Sequence, residues 1–169
     1  MKIIEAMKKV KANRQKITDL QSKISENSAH LSYETPMYAD ITNRLREWAQ
    51  SCEDLGQDNI SLLTRISKTN LQTSVPITMG GRVITKTIAE WIWRRREYAA
   101  LSRLTFASMT DRNLREGVTK SSTGVDMTIK LIRNYDPERR DACMATYQEE
   151  PSAIDAALEV INAITDLKE

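Results

Sequence analysis

The feature that most limits what this chain can fold into is a seven-residue apolar repeat between residues 38 and 66. One position of the repeat reads Ile41, Trp48, Leu55 and Leu62, and the other reads Tyr38, Leu45, Cys52, Asn59 and Ile66. A period near 3.5 sustained over four heptads is a helix stripe that faces another helix. At 1.5 Å per residue such a helix spans roughly 45–50 Å. Outside the stripe, Asp40 and Arg44 stand four apart, as on a wet face. Asn59 is the strongly polar member; a polar residue in a seam either fixes register at some cost in stability or marks where the helices splay.

A second seam precedes the first. Ile3, Val10, Ile17 and Ile24 are spaced by seven, with Ala6, Met7 and Leu20 between them and Asn13 and Arg14 as a polar interruption. Asn27–Pro36, rich in Asn, Ser and Pro, separates the two seams as a loop. Two heptad helices joined by so short a loop predict a long antiparallel coiled-coil hairpin over residues 1–70. At 169 residues, 40% hydrophobic and 28% charged, the chain is one globular domain rather than a disordered segment. Its scarcity of glycine and proline argues against a sandwich of many turns. The fold class expected is therefore mainly α with a small β element.

The rest of the chain supplies that element and further helices. Ser74–Thr78 and Arg82–Thr85 flank Met79-Gly80-Gly81 and predict a β-hairpin within residues 71–85, with Pro76 placing its strand at an edge. Thr85 is positioned to cap a third helix over residues 86–116, stopping at Gly117. Residues 117–135 read as a glycine-bounded loop and then a half-buried strand, in which Val125, Met127, Ile129 and Leu131 alternate with polar neighbours. Residues 136–169 read as two C-terminal helices. Asp136-Pro137 opens the first, Pro151 interrupts it, and Ser152 with Asp155 starts the second, which carries Ile154, Leu158, Ile161 and Ile164 on one face.

Charge is uneven along the chain. Residues 1–26 carry seven Lys/Arg against three acids, and residues 134–169 nine acids against three bases, within a net charge of +2. Such ends either pair with each other or form solvated faces. Cys52 and Cys143 lie far apart and form no metal-binding spacing with the single histidine, His30, so no metal and no disulfide framework is expected. There is no apolar run of about 20 residues and no signal-peptide pattern, which sets the expectation of a cytoplasmic or virion protein without a membrane span.

Several short motifs resemble the septicolysin-like family of small bacterial and phage proteins. They are Ile66-Ser67-Lys68-Thr69-Asn70 closing the long helix, and Gly81-Arg82-Val83-Ile84-Thr85 leading into an arginine-rich third helix. Near the C-terminus they are Ile154-Asp155, Leu158-Glu159 and Asn162. The resemblance covers nearly the whole chain, which departs from the family by Ala163 where it often has Trp and by Trp91 and Trp93 beside the arginines. It implies a helical hairpin fold and homo-oligomers. Pore formation, which the family's name suggests, is not carried over, because the sequence offers no long amphipathic insertion hairpin.

Catalytic and cofactor chemistry finds little support. Gly117–Gly124 has six residues between its glycines and no Lys after the second, unlike a phosphate loop. His30 falls in a loop, and Glu149-Glu150 before Pro151 reads as a solvated charge run. No enzyme activity, catalytic residue or cofactor is expected. The third helix is apolar on several sides, with Trp91 and Trp93 on different faces, so Ile88, Trp91, Ile92, Trp93 and Leu104 are the expected interface of a homo-oligomer. The favoured function is a structural assembly protein, in particular a capsid-decorating or neck component of a phage particle with capsid or portal proteins as partners. The alternative is a basic helical nucleic-acid-binding module using Arg94, Arg95 and Arg96. Those three fan around the helix, and Glu90 stands four residues before Arg94 as a favourable partner, so nucleic acid is the less favoured partner.

Overall fold

The computed structural model describes every residue from Met1 to Glu169. It is 62% helical with two small antiparallel strand pairs, which makes the fold mainly α. The chain forms two compact units. The first comprises Met1–Val75, Thr87–Ala89 and Leu158–Glu169; the second comprises Pro76–Lys86 and Glu90–Ala157.

In the first unit, helices α1 (Ile3–Asn27) and α2 (Ile41–Gln72) pack against each other. The Glu5 carboxylate accepts the Lys2 backbone N–H at 2.8 Å, satisfying one of the open donors at the start of α1. Asp40 does the same for α2, accepting from the Asn43 N–H at 3.3 Å. Arg44, on the wet face, pairs with Glu47 at 3.2 Å. The core lies where the first turns of α1 meet the last turns of α2: Ile3, Ala6, Val10, Leu62, Ile66 and Thr69 are buried, with Leu158 and Leu167 beside them in the same unit. Ile17, Leu20, Ile24, Leu45, Trp48 and Leu55 are only half-buried, because two helices alone cover one seam and leave its flanks in water.

Asn59 does not stand near a fraying end, since α2 continues thirteen residues beyond it. It is buried, and its side-chain oxygen accepts from Asn13 at 3.1 Å; Asn13 also donates to Asp58 at 2.8 Å. Lys9 completes the cluster at 2.9 Å from Asp58, and its hydrogen bond, followed by that of Asn13, lowers the Asp58 pKa. A shift by one heptad would strand two buried amides, so this layer opposes every register but one. The C-terminal residues are tied to the same unit. Ile3 N–H donates to the Thr165 carbonyl at 3.0 Å, Leu167 N–H to the Met1 carbonyl at 2.9 Å, and Lys168 N–H to Thr69 Oγ1 at 2.9 Å.

The hairpin expected around Gly80-Gly81 is formed by β1 (Ser74–Met79) and β2 (Arg82–Thr87). Gly80 and Gly81 have φ of 54° and 75°, the pair of left-handed values a two-residue hairpin turn of this hand requires. Because β2 takes in Thr85, that residue caps nothing, and the next helix starts at Ile88, whose N–H donates to the Thr73 carbonyl at 3.0 Å.

The third helical stretch also ends earlier than its composition suggested. It consists of α3 (Ile88–Trp93), a π-helical turn (Arg94–Tyr98) and α4 (Ala99–Ala107), so residues 108–116 are not helical. Arg112 and Asn113 take φ of 54° and 59°, left-handed values that no α-helix contains. Gly117 starts a strand instead of stopping a helix. β3 (Gly117–Lys120) pairs antiparallel with β4 (Asp126–Ile129), with Gly117 opposite Ile129 and Lys120 opposite Asp126. All eight strand residues are exposed, so the alternation in residues 125–131 does not mark a half-buried strand.

A polar clip closes the neck of this hairpin. Asp111 accepts from Arg133 through both carboxylate oxygens, at 2.8 and 2.7 Å, and from the Tyr135 hydroxyl at 2.8 Å. Those bonds, Arg133 first and Tyr135 second, hold the Asp111 carboxyl at about 2. A depressed carboxyl stabilises the fold fully above its unfolded value of about 3.9 and loses that contribution as pH falls through its folded value. The neck is thus expected to hold at pH 5 and to loosen between about pH 4 and pH 2. A carboxyl-carbon NMR titration of Asp111 with a midpoint near 3.9 would contradict the clip.

Helix α5 (Pro137–Ile164) opens as expected, with Asp136 accepting from the Glu138 and Arg139 N–H groups at 3.0 and 3.3 Å. Pro151 does not divide it, and Ser152 begins no new helix. Proline withholds its own N–H and its ring crowds the Tyr147 carbonyl, which costs the ladder a bond at this point, yet α5 continues through it. Ile154 and Leu158 are buried as the stripe required, whereas Ile164 is exposed.

Candidate functional site

In the second unit, one side chain organises the helical stretch. Arg94, at the start of the π-helical turn, forms a two-bond ion pair with Glu150 of α5, Nε to Oε1 and Nη2 to Oε2, the latter at 3.2 Å. Glu150 is 2% exposed and is no solvated charge. The guanidinium carbon also lies 4.9 Å from the ring centre of Tyr98 and 5.9 Å from that of Trp91. The Glu150 hydrogen bond raises the Arg94 pKa against the opposing effect of burial. The π turn contributes geometry: Ala99 N–H reaches back five residues to the Arg94 carbonyl. Tyr147 stacks on Phe106 at 6.0 Å and meets Tyr98 edge-on at 6.1 Å, and burial, then its hydrogen bond with Tyr98, raises its pKa.

Beside the Arg94–Glu150 pair lies an open groove of about 530 Å³ lined by Lys86, Glu90, Trp93, Arg94, Glu97, Tyr98 and Leu101. Trp93 is 59% exposed, Tyr98 49%, Leu101 62% and Leu104 55%. Lys86 pairs with Glu90 at 3.8 Å, while the two-bond partner of Arg94 is Glu150. The groove offers apolar area framed by two ion pairs and the unpaired, exposed Glu97, which suits a protein surface better than a small polar substrate.

The five residues expected to form an interface therefore separate. Trp91 and Ile88 are buried within the chain and present nothing to a partner; Ile92 is half-buried; Trp93 and Leu104 are exposed. The three arginines separate too. Arg94 is paired with Glu150 and Arg95 with Asp155, and Arg96 is exposed without an ion pair. His30 is exposed in the loop between α1 and α2, and Cys52 and Cys143 are both free thiols. Sequence reasoning missed Glu150 and Tyr147, and it read Tyr98 and Leu101 only as apolar positions of the third helix, not as site residues. One signal for Glu150 was present: it stands four residues before Ile154 and eight before Leu158, on the stripe that faces inward.

No family model and no curated protein matches the chain. Among solved structures it is similar to a functionally unknown conserved protein from Corynebacterium diphtheriae, with 18% identity over 99% of each chain and a TM-score of 0.59. That likeness establishes the fold. No helix is long and apolar enough to cross a membrane.

Proposed function

We propose that the chain is a non-enzymatic structural protein that acts by assembling with copies of itself. The observation that carries this reading is the exposed apolar groove lined by Trp93, Tyr98 and Leu101, with Leu104 also exposed, on a helical stretch anchored by the Arg94–Glu150 pair. An exposed apolar patch of a few hundred Å² marks an interaction site, and burying it at about 25 cal/mol per Å² contributes several kcal/mol to association. The α1–α2 pair is read as a long antiparallel coiled-coil hairpin; its heptad positions are the less exposed ones, and the Asn13–Asn59 layer supports a single register. A place in a phage particle, with capsid or portal proteins as neighbours, rests on the family resemblance, and mass spectrometry of purified particles tests it.

The oligomer is expected to weaken about thirtyfold or more with Trp93→Ser or Leu101→Ser, the effect of removing a central apolar anchor of roughly 2 kcal/mol or above. Trp91→Ser is expected to destabilise the fold instead, since that ring is buried. Sedimentation equilibrium separates the two. Unchanged association in Trp93→Ser and Leu101→Ser would refute this face as the interface.

A further inference from the structure

The β3–β4 hairpin and its arms, residues 112–132, have no function so far. They carry Leu114, Val118, Val125, Met127, Ile129 and Ile132 exposed to solvent. The segment leaves the body of its unit through the Asp111 clip and, further out, a hydrogen bond from Leu131 N–H to Glu116 at 3.1 Å. A two-stranded hairpin in water is marginal on its own, and each of its strands has one unpaired edge. Its register also gives it two unlike faces. Gly117, Thr119, Met127 and Ile129 lie on one, without a charge among them; Val118, Lys120, Asp126 and Thr128 lie on the other, with Lys120 directly opposite Asp126.

We propose that this hairpin is an exchange arm, whose uncharged face docks on the Trp93–Leu101 groove of a second copy while that copy's arm docks in return. The inference rests on the self-assembly reading and names the segment that completes the interface. Two observations select this occupant. Of the charges lining the groove, Lys86 is paired with Glu90 and Arg94 with Glu150, and Glu97, which is exposed, holds no ion pair, so an uncharged strand face laid along Trp93 and Leu101 has one free charge to leave in water. The second observation is that the same unit leaves two apolar surfaces bare, the arm and the groove. A foreign partner on either would leave the other exposed, whereas reciprocal exchange covers both by one two-fold contact.

The test uses the full chain with Cys52→Ala and Cys143→Ala. One preparation carries Thr119→Cys, on the docking face of the arm, and another carries Glu97→Cys, in the groove. A short bis-maleimide is added to each alone and to the mixture after subunit exchange, and light scattering gives the mass of every sample. The expected result is a covalent dimer in the mixture and little in either preparation alone. Met127→Ser with Ile129→Ser is expected to weaken association about thirtyfold while leaving far-UV circular dichroism unchanged, because both side chains are exposed. Oligomers that give no mixed cross-link, or that cross-link arm to arm, overturn the exchange and leave self-assembly standing. Monomers in every sample overturn both.

Discussion

Replacing Arg94 by methionine is expected to lower stability by about 3–5 kcal/mol, because the Glu150 carboxylate would stay buried without its partner. The Arg94 side chain is itself about four-fifths buried, so solvent screening does little to soften the loss. At roughly 2–4 °C per kcal/mol for a chain of this size, the melting temperature should fall by about 6–20 °C. The double change Arg94→Met with Glu150→Leu is expected to recover most of that loss, since an apolar pair of similar volume avoids the desolvation both charges incur. Thermal melts of the two single variants and the double variant measure the coupling. Additive losses would mean that the pair does not act as a unit.

The second large effect belongs to the other unit. Leu62→Asp is expected to unfold it at room temperature, because Leu62 is buried against the end of the α1–α2 seam. Losing a buried leucine costs about 2–5 kcal/mol, and burying a carboxylate without a partner adds several more, against a total stability of roughly 5–15 kcal/mol. Leu45→Asp and Leu55→Asp are expected to cost less, since both side chains are half in water. Far-UV circular dichroism with a melt ranks the three. A Leu62→Asp melt equal to the parent would show that the seam does not hold the unit.

The contrast between these leucines shows how far the sequence could be read. Heptad spacing located α1 and α2 and the stripe that turns inward. It could not say which part of the stripe is covered on both flanks, because that depends on Leu158 and Leu167, more than ninety residues away in the chain. The Gly80-Gly81 turn was legible because two successive left-handed residues have a chemical signature. Arg112 and Asn113 take the same backbone region without a glycine, so nothing warned that the third helix ends at Ala107. Glu150 was hidden by its type. A carboxylate beside another carboxylate and a proline reads as surface, and only the inward stripe it shares with Ile154 argues otherwise. The apolar girth of the third helix was legible, but its division into buried Trp91 and exposed Trp93 needed the packed structure.

That division makes self-association through the Trp93 face the central claim, and solution mass tests it most directly. Multi-angle light scattering of the full chain at micromolar concentration is expected to give a multiple of 19.3 kDa. The oligomer should persist in about 0.5 M salt, because apolar burial, unlike contacts between exposed charges, is not screened. A monomer of 19.3 kDa at that concentration, in low and high salt alike, would contradict the account.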